Sequence, residues 1–307
     1  MDMDKYRGVM VPILTPLKPD MEVDVKSLRR LVDYLLENGV HGIWASGTTS
    51  EFPALPDRER MVSMDTVVSE VAGRVPVIGN VSHASTQLAV DLALEARESG
   101  LDAIAATPPY YYSHTPDEMA AHFRHIRDAV GLPLWVYNIP QMVKTAVSPV
   151  TVVELAAEGA VEGIKDSSGA GELLAELNIR CEQGDVRLYR MLGTTLRITT
   201  AAKLGAHGVI PGISNLVPGW SVRGWDAGVA GDEETARECD AKLMVADKVQ
   251  KLAKGGSAQA AIYSGLKAAL KEMGVIDHDT VTRPLRPLSE AEKMPIPGLL
   301  RELGLMG

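Results

Sequence analysis

The chain has 307 residues, 46% of them hydrophobic and 23% charged, with a formal net charge of −9. That length fills one large barrel or two ordinary domains. The acidic balance argues against a surface that neutralises phosphates of nucleic acid or anionic membrane, but a few local donors can still bind a small carboxylate. Cys181 and Cys239 are far apart and make no CxxC pair, which points to a reduced intracellular protein. The N-terminus carries acidic residues where a signal peptide needs basic ones, and no apolar run approaches a membrane span. A soluble cytoplasmic protein is expected.

In chain order, short apolar runs alternate with amphipathic helical stretches eight times. Strands are predicted over residues 8–16, 42–47, 75–81, 103–107, 134–138, 161–166, 188–192 and 208–212, most of them aliphatic runs bounded by Gly, Pro or Asp. Helices are predicted between them, among others over residues 24–38, 57–72, 85–99, 116–129 and 148–158. Asp24 and Ser148-Pro149 are opening signals, and Gly39, Gly73, Gly100 and Gly159 are closing ones. This order without hairpin turns predicts a parallel sheet. Eight units in about 225 residues fit an α/β fold of the (β/α)₈ TIM-barrel type. A doubly wound open sheet is the rival, but the segment after the first strand, Leu14-Thr15-Pro16-Leu17, is no Gly-rich phosphate loop. Beyond about residue 220 the strand signal gives way to helical runs over 233–252 and 258–273, then to a Pro-rich stretch at Arg283-Pro284-Leu285-Arg286-Pro287. The division expected is a barrel over residues 1–222 carrying the active site, and a C-terminal helical extension over 223–307 packed upon it.

In such barrels the active site lies at the C-terminal ends of the strands. Lys165 stands out there. Strand alternation puts Val161, Gly163 and Lys165 on one face and Ile164 on the other, so if the small Gly163 faces the axis, Lys165 does too. Burial disfavours an ammonium, and a neutral lysine amine is what Schiff-base formation requires. The alternative is a lysine that snorkels to the rim or pairs with Asp166. Tyr137, on the preceding strand, can reach the same space and relay protons, or be a core tyrosine with a satisfied hydroxyl. Thr48 and Thr49 offer hydroxyl and N–H donors suited to a 2-oxo acid carboxylate, although a Gly-Thr-Thr run is also an ordinary turn. Tyr110, Tyr111 and Tyr112 cannot all point inward. One use is to reach across a subunit interface, and the alternative is a rim contact.

At these residues the sequence resembles the dihydrodipicolinate synthase / N-acetylneuraminate lyase family of pyruvate-dependent class I aldolases. The markers are Gly47-Thr48-Thr49-Ser50-Glu51, Pro109-Tyr110-Tyr111, Tyr137-Asn138-Ile139-Pro140, Gly163-Ile164-Lys165-Asp166 and Gly205-Ala206-His207-Gly208-Val209-Ile210. The resemblance implies a barrel with a helical C-terminal region, assembled as a homotetramer (a dimer of dimers), with no metal and no organic cofactor. It implies that Lys165 forms the imine and that Tyr137, linked to Thr48 and Tyr111, relays protons. It further implies that Thr48 and Thr49 bind the carboxylate, that Tyr111 reaches a neighbouring subunit's site, and that the Ile210 carbonyl faces the site. Gly193 and Met142 complete the substrate-binding set. Met142 stands where the family's synthases carry an arginine that grips the second substrate. Ser50 replaces a glycine, and Val143-Lys144 replaces Thr-Gly. A methionine cannot act as a bidentate carboxylate clamp, and Lys144 is the one nearby cation that could compensate. The Glu51-Phe52-Pro53 and Lys165-Asp166-Ser167-Ser168-Gly169 runs look more like the 4-hydroxy-2-oxo acid and 2-keto-3-deoxy sugar acid aldolases, so the expected activity is a lyase that makes or cleaves a C–C bond in pyruvate or a 4-hydroxy-2-oxo (2-keto-3-deoxy) acid. 4-Hydroxy-tetrahydrodipicolinate synthesis, a dehydratase using the same imine, and a non-catalytic 2-oxo acid-binding protein are the alternatives.

A metal-dependent barrel would need convergent ligands. The seven histidines are scattered, and His122 and His125, three apart on a helix outside the barrel, are expected at the surface. The loops at Gly193-Thr194-Thr195 and Gly212-Ile213-Ser214-Asn215 are polar, but neither is a phosphate signature.

Overall fold

A computed structural model of the chain describes residues 3–169 and 171–306. Eight strands, β1 (Gly8–Pro12), β2 (Gly42–Ala45), β3 (Val77–Asn80), β4 (Ala103–Ala106), β5 (Leu134–Asn138), β6 (Gly163–Asp166), β7 (Tyr189–Leu192) and β8 (Gly208–Val209), pair in parallel in chain order and close into a barrel. β8 returns to β1, with Gly8 opposite Gly208 and Val9 opposite Val209. The expected (β/α)₈ architecture is therefore present, with strands shorter than the apolar runs because ladder pairing stops where each chain turns into its loop.

The helices α1 (Val25–Glu37), α2 (Asp57–Val71), α3 (Thr86–Arg97) and α4 (Pro116–Val130) follow the first four strands. The Asp24 carboxylate caps α1 by accepting from the Ser27 N–H. After β5 come a single turn, α5 (Pro140–Val143), and α6 (Pro149–Ala157), which Ser148 caps by accepting from the Thr151 N–H. α7 (Glu172–Gly184) follows β6. Between β7 and β8 the alternation breaks down: only turns and a short 3₁₀ helix, Ala202–Leu204, fill the gap. The β-branched Thr194, Thr195, Ile198, Thr199 and Thr200 there are poor helix formers. α8 (Pro218–Ala230) is the helix that follows β8, so the division drawn at residue 222 falls inside it. α9 (Glu233–Asp247), α10 (Ala258–Glu272), the short α11 (Glu290–Lys293) and α12 (Ile296–Leu303) complete the C-terminal region.

Two apolar layers follow from strand alternation. The outer one lies between strands and helices and contains Val9, Ile43, Ile104, Val136 and Ile164. The inner one fills the barrel with Tyr6, Met10, Trp44, Ile78, Trp135, Tyr137, Tyr189 and Met191. Trp135 stacks on Tyr189 at 5.4 Å, and Tyr6 and Trp44 meet Trp135 edge-on. Gly163 belongs to this face, since a Cβ there would lie 2.5 Å from the Trp135 ring. Val161 does not: it precedes β6 and packs in the outer layer, so the alternation that puts it beside Lys165 starts two residues too early. His122 also departs from expectation. It is 2% exposed, with Nδ1 2.9 Å from Thr86 Oγ1 and Nε2 3.2 Å from the Thr107 carbonyl, and burial pulls its pKa down to about 4. Only His125 lies at the surface. Both cysteines are free and buried. Among the described residues no helix is long and apolar enough to cross a membrane.

Candidate active site

The β5–β6 register sets Tyr137 directly beside Lys165, and Asn138 beside Asp166. Because side chains alternate, Tyr137 and Lys165 enter the barrel while Asn138 and Asp166 point away from it. The Asp166 carboxylate is occupied on its own side: it accepts from Asn138 Nδ2 at 2.9 Å, from the Ser168 N–H at 3.0 Å and from Ser168 Oγ at 2.9 Å. Lys165 therefore neither pairs with Asp166 nor snorkels out, being 3% exposed. Its Nζ sits 4.3 Å from the Tyr137 ring centroid and 5.0 Å from that of Trp44. Burial alone brings the Lys165 amine from its ordinary value down to about 7. A substantial fraction is then neutral at physiological pH, with aromatic faces rather than a carboxylate holding the charged form.

The Tyr137 hydroxyl lies 2.9 Å from Thr48 Oγ1. Burial pushes the phenol up to about 12, while hydrogen bonds to Thr48 and Ser167 pull it partway back. It is thus a protonated phenol held in a chain of hydroxyls, a group able to pass protons to and from a neighbouring reacting atom. Gly193 leaves the room this requires: a Cβ there would lie 3.1 Å from Lys165 Cε and 2.0 Å from Ser167 Oγ. Ile210 is buried in the inner layer with Tyr137, and its N–H donates to the Leu192 carbonyl at 2.7 Å. Thr49 packs against Gly212, where an added Cβ would be 3.4 Å from its Oγ1.

The loop that carries Thr48 and Thr49 is held from both sides. Ser50 Oγ accepts from the Gly47 N–H at 3.0 Å and donates to the Ile13 carbonyl at 2.5 Å. This gives the residue that departs from the family's glycine a structural task. Glu51, at φ +62°, is buried and forms an ion pair with Lys267 of α10 at 2.5 Å. Its other oxygen accepts from the Thr282 N–H and Oγ1, both at 2.7 Å. The C-terminal region thus fastens the loop that carries Thr48 and Thr49. It also walls a cavity of about 300 Å³ at this end of the barrel, lined by Thr48, Phe52, Ile139, Met142, Gln259 and Tyr263 among others. Lys165 itself does not line that cavity; Thr48, bonded to Tyr137, is the link between them.

Among the residues singled out from sequence, Thr48, Tyr137, Lys165, Gly193 and Ile210 come together, and Met142 stands in the cavity wall. Tyr111 does not join them within one chain. It is 89% exposed at φ +101°, and its ring meets that of Tyr112 edge-on, whereas Tyr110 turns inward onto Phe52. Lys144 is exposed and donates to the Gln141 carbonyl at 3.3 Å, and it is not part of the cavity lining. Sequence reasoning gave no role to Trp44, Ser167, Glu51, Lys267, Gln259 or Tyr263. The first three adjoin or belong to the motifs already quoted. The last three look like ordinary helix residues, and nothing local marks them.

Comparison with known proteins fits this geometry. The model of the dihydrodipicolinate synthetase family matches residues 5–302. The 4-hydroxy-tetrahydrodipicolinate synthase of Desulfotalea psychrophila is 33% identical over 94% of this chain and 93% of its own length, and that of Pelobacter propionicus is 31% identical over 98% and 100%. Among solved structures, dihydrodipicolinate synthase from Bacteroides thetaiotaomicron superposes with a TM-score of 0.90 at 29% identity, covering 97% of this chain and 99% of that one. Dihydrodipicolinate synthase from Thermotoga maritima gives 0.86 at 30% identity over 98% and 100%. With the family model spanning nearly the whole length and a lysine buried on the sixth strand of a closed barrel, this chain belongs to the dihydrodipicolinate synthetase family and is a lyase of the class I aldolase type.

Proposed function

We propose that the enzyme forms a covalent imine between Lys165 and pyruvate or a 4-hydroxy-2-oxo acid, and makes or breaks the C3–C4 bond of the longer acid. The observation that carries this reading is the Lys165 amine itself: buried, brought to about 7 by desolvation, and set 4.3 Å from the ring of a tyrosine whose hydroxyl bonds Thr48. Neutral Lys165 attacks C2, and the Tyr137–Thr48 pair moves protons as the carbinolamine collapses. Thr48 and Thr49 hold the carboxylate, with Gly193 and Ile210 shaping the floor. The iminium is the electron sink, so no metal or organic cofactor takes part. Tyr111, fully exposed at a backbone angle that a bulky residue adopts only when held there, is offered to a neighbouring subunit's site in a homotetramer. The enzyme is assigned to the cytoplasm.

Borohydride reduction in the presence of pyruvate, with intact mass and peptide mapping, tests the reading. The expected product is a pyruvyl adduct on Lys165 that is absent from Lys165→Ala. Failure to trap pyruvate or any longer 2-oxo acid would refute it. The names of the curated relatives favour a second reading, condensation of pyruvate with aspartate semialdehyde. Met142 in the cavity wall and Lys144 turned to a carbonyl leave that substrate's carboxylate without a clamp from this segment.

A further inference from the structure

We propose that the aldehyde half of the substrate is apolar, an aliphatic or aryl aldehyde rather than a polyhydroxylated or amino-acid-derived one. The inference rests on the imine reading and names the substrate class of that same site. The space beyond Thr48 is walled by Phe52, Pro53, Ile139, Met142, Val143 and Leu285. Several of its polar neighbours are engaged already. Glu51 bonds Lys267 and Thr282, Thr48 bonds Tyr137 and Gln259 Nε2 rests 3.8 Å from Met142 Sδ, while Tyr110 and Tyr263 bring phenol groups to the lining. Thr107 Oγ1 is buried behind the lining and has no hydrogen-bond partner among the described residues. Arg283 stands exposed among the lining residues.

A cavity of about 300 Å³ has about twice the ~150 Å³ of an apolar cavity known to take up benzene. A phenyl ring or a six-carbon chain therefore fits with room for the carbonyl end. A sugar-acid tail would bring several hydroxyls against walls that are mostly apolar, and each hydroxyl left unpaired costs roughly tenfold in binding. Each methylene buried there instead gains roughly fourfold.

The reaction written for this class balances. In R–CH(OH)–CH₂–CO–COO⁻, bound as the iminium, the C4 hydroxyl gives its proton to the Tyr137–Thr48 pair and the C3–C4 bond breaks. The electron pair passes into the enamine and R–CHO leaves. Proton return to C3 and hydrolysis by water then release pyruvate and regenerate Lys165.

The test measures, on the intact enzyme, both borohydride trapping of pyruvate and kcat/KM for condensation of pyruvate with butanal, hexanal, benzaldehyde, glyceraldehyde and aspartate semialdehyde. The expected result is a trapped pyruvyl adduct together with a kcat/KM that rises from butanal to hexanal. Hexanal or benzaldehyde should exceed glyceraldehyde by at least about tenfold. A trapped adduct with glyceraldehyde or aspartate semialdehyde as the better acceptor, or with the apolar series inert, would overturn the selectivity and leave the imine chemistry standing. Absence of the adduct would remove both. Met142→Gln, at a partly exposed position tolerant of polarity, is expected to raise KM for hexanal several-fold and to narrow its lead over glyceraldehyde. An unchanged ratio would overturn the assignment of that wall.

Discussion

Lys267→Met isolates the tie between the C-terminal region and the loop that carries Thr48. The substitution keeps the apolar stem and removes the ammonium, leaving Glu51, 2% exposed, with only Thr282 on one of its oxygens. Removing one partner of a buried pair costs about 3–5 kcal/mol, because the remaining charge is neither solvated nor paired. With about 2.1 cal/mol/K of unfolding entropy per residue, 307 residues give about 0.64 kcal/mol/K, so Tm should fall by about 5–8 °C. Calorimetry or thermal fluorescence at fixed protein concentration reads this directly. The double variant Glu51→Gln/Lys267→Met replaces the pair by neutral groups and keeps an acceptor for the Thr282 N–H, so it should recover at least half of the loss. Since Glu51 closes the loop that holds Thr48, the single variant should also lower kcat. A single variant within about 1 kcal/mol of wild type, or a double variant no better than the single, would refute the reasoning.

Three further outcomes are expected. A Lys165 pKa lowered to about 7 makes the neutral amine dominant above that pH, so initial rates of imine trapping should climb about tenfold per unit below it and level off above. A rate still climbing steeply at about pH 9 would indicate an unperturbed lysine. Tyr137→Phe should keep the fold, as judged by circular dichroism, and lower kcat by about 10²–10⁴-fold; a rate near wild type would remove the hydroxyl from the proton path. Gly163→Ala would drive a Cβ to 2.5 Å from Trp135, whose ring is fixed by Tyr6, Trp44 and Tyr189. Overpacking of that kind costs about 1–3 kcal/mol, measurable as a loss of stability in denaturant titration.

The barrel and its buried lysine were legible in the chain because both depend on short-range periodicity. Apolar runs bounded by turn residues mark the strands, and a two-residue alternation carries Gly163 and Lys165 to one face whatever the rest of the molecule does. The same locality explains the errors. Val161 lies before the first ladder pair of β6, where the alternation no longer holds, and helix position alone does not reveal the strand end that covers His122. The missing helix between β7 and β8 reflects a run of β-branched residues too short to outweigh the expectation of a repeat.

What only the tertiary structure decided is what surrounds the lysine. Asp166 is turned from Lys165 by bonds to Asn138 and Ser168, so desolvation rather than ion pairing sets the amine's character. Tyr110 turns in and Tyr111 turns out at adjacent positions, a choice made by backbone angle and by the Phe52 ring. Glu51 finds Lys267 across more than two hundred residues, and Gln259, Tyr263 and Leu285 line one cavity with Phe52 and Met142. Such pairings have no period and no spacing to read. They exist because a closed barrel presents its loops at one end and the C-terminal helices are packed over them, which is why the chemistry could be inferred from the strands while the proposed selectivity required the fold.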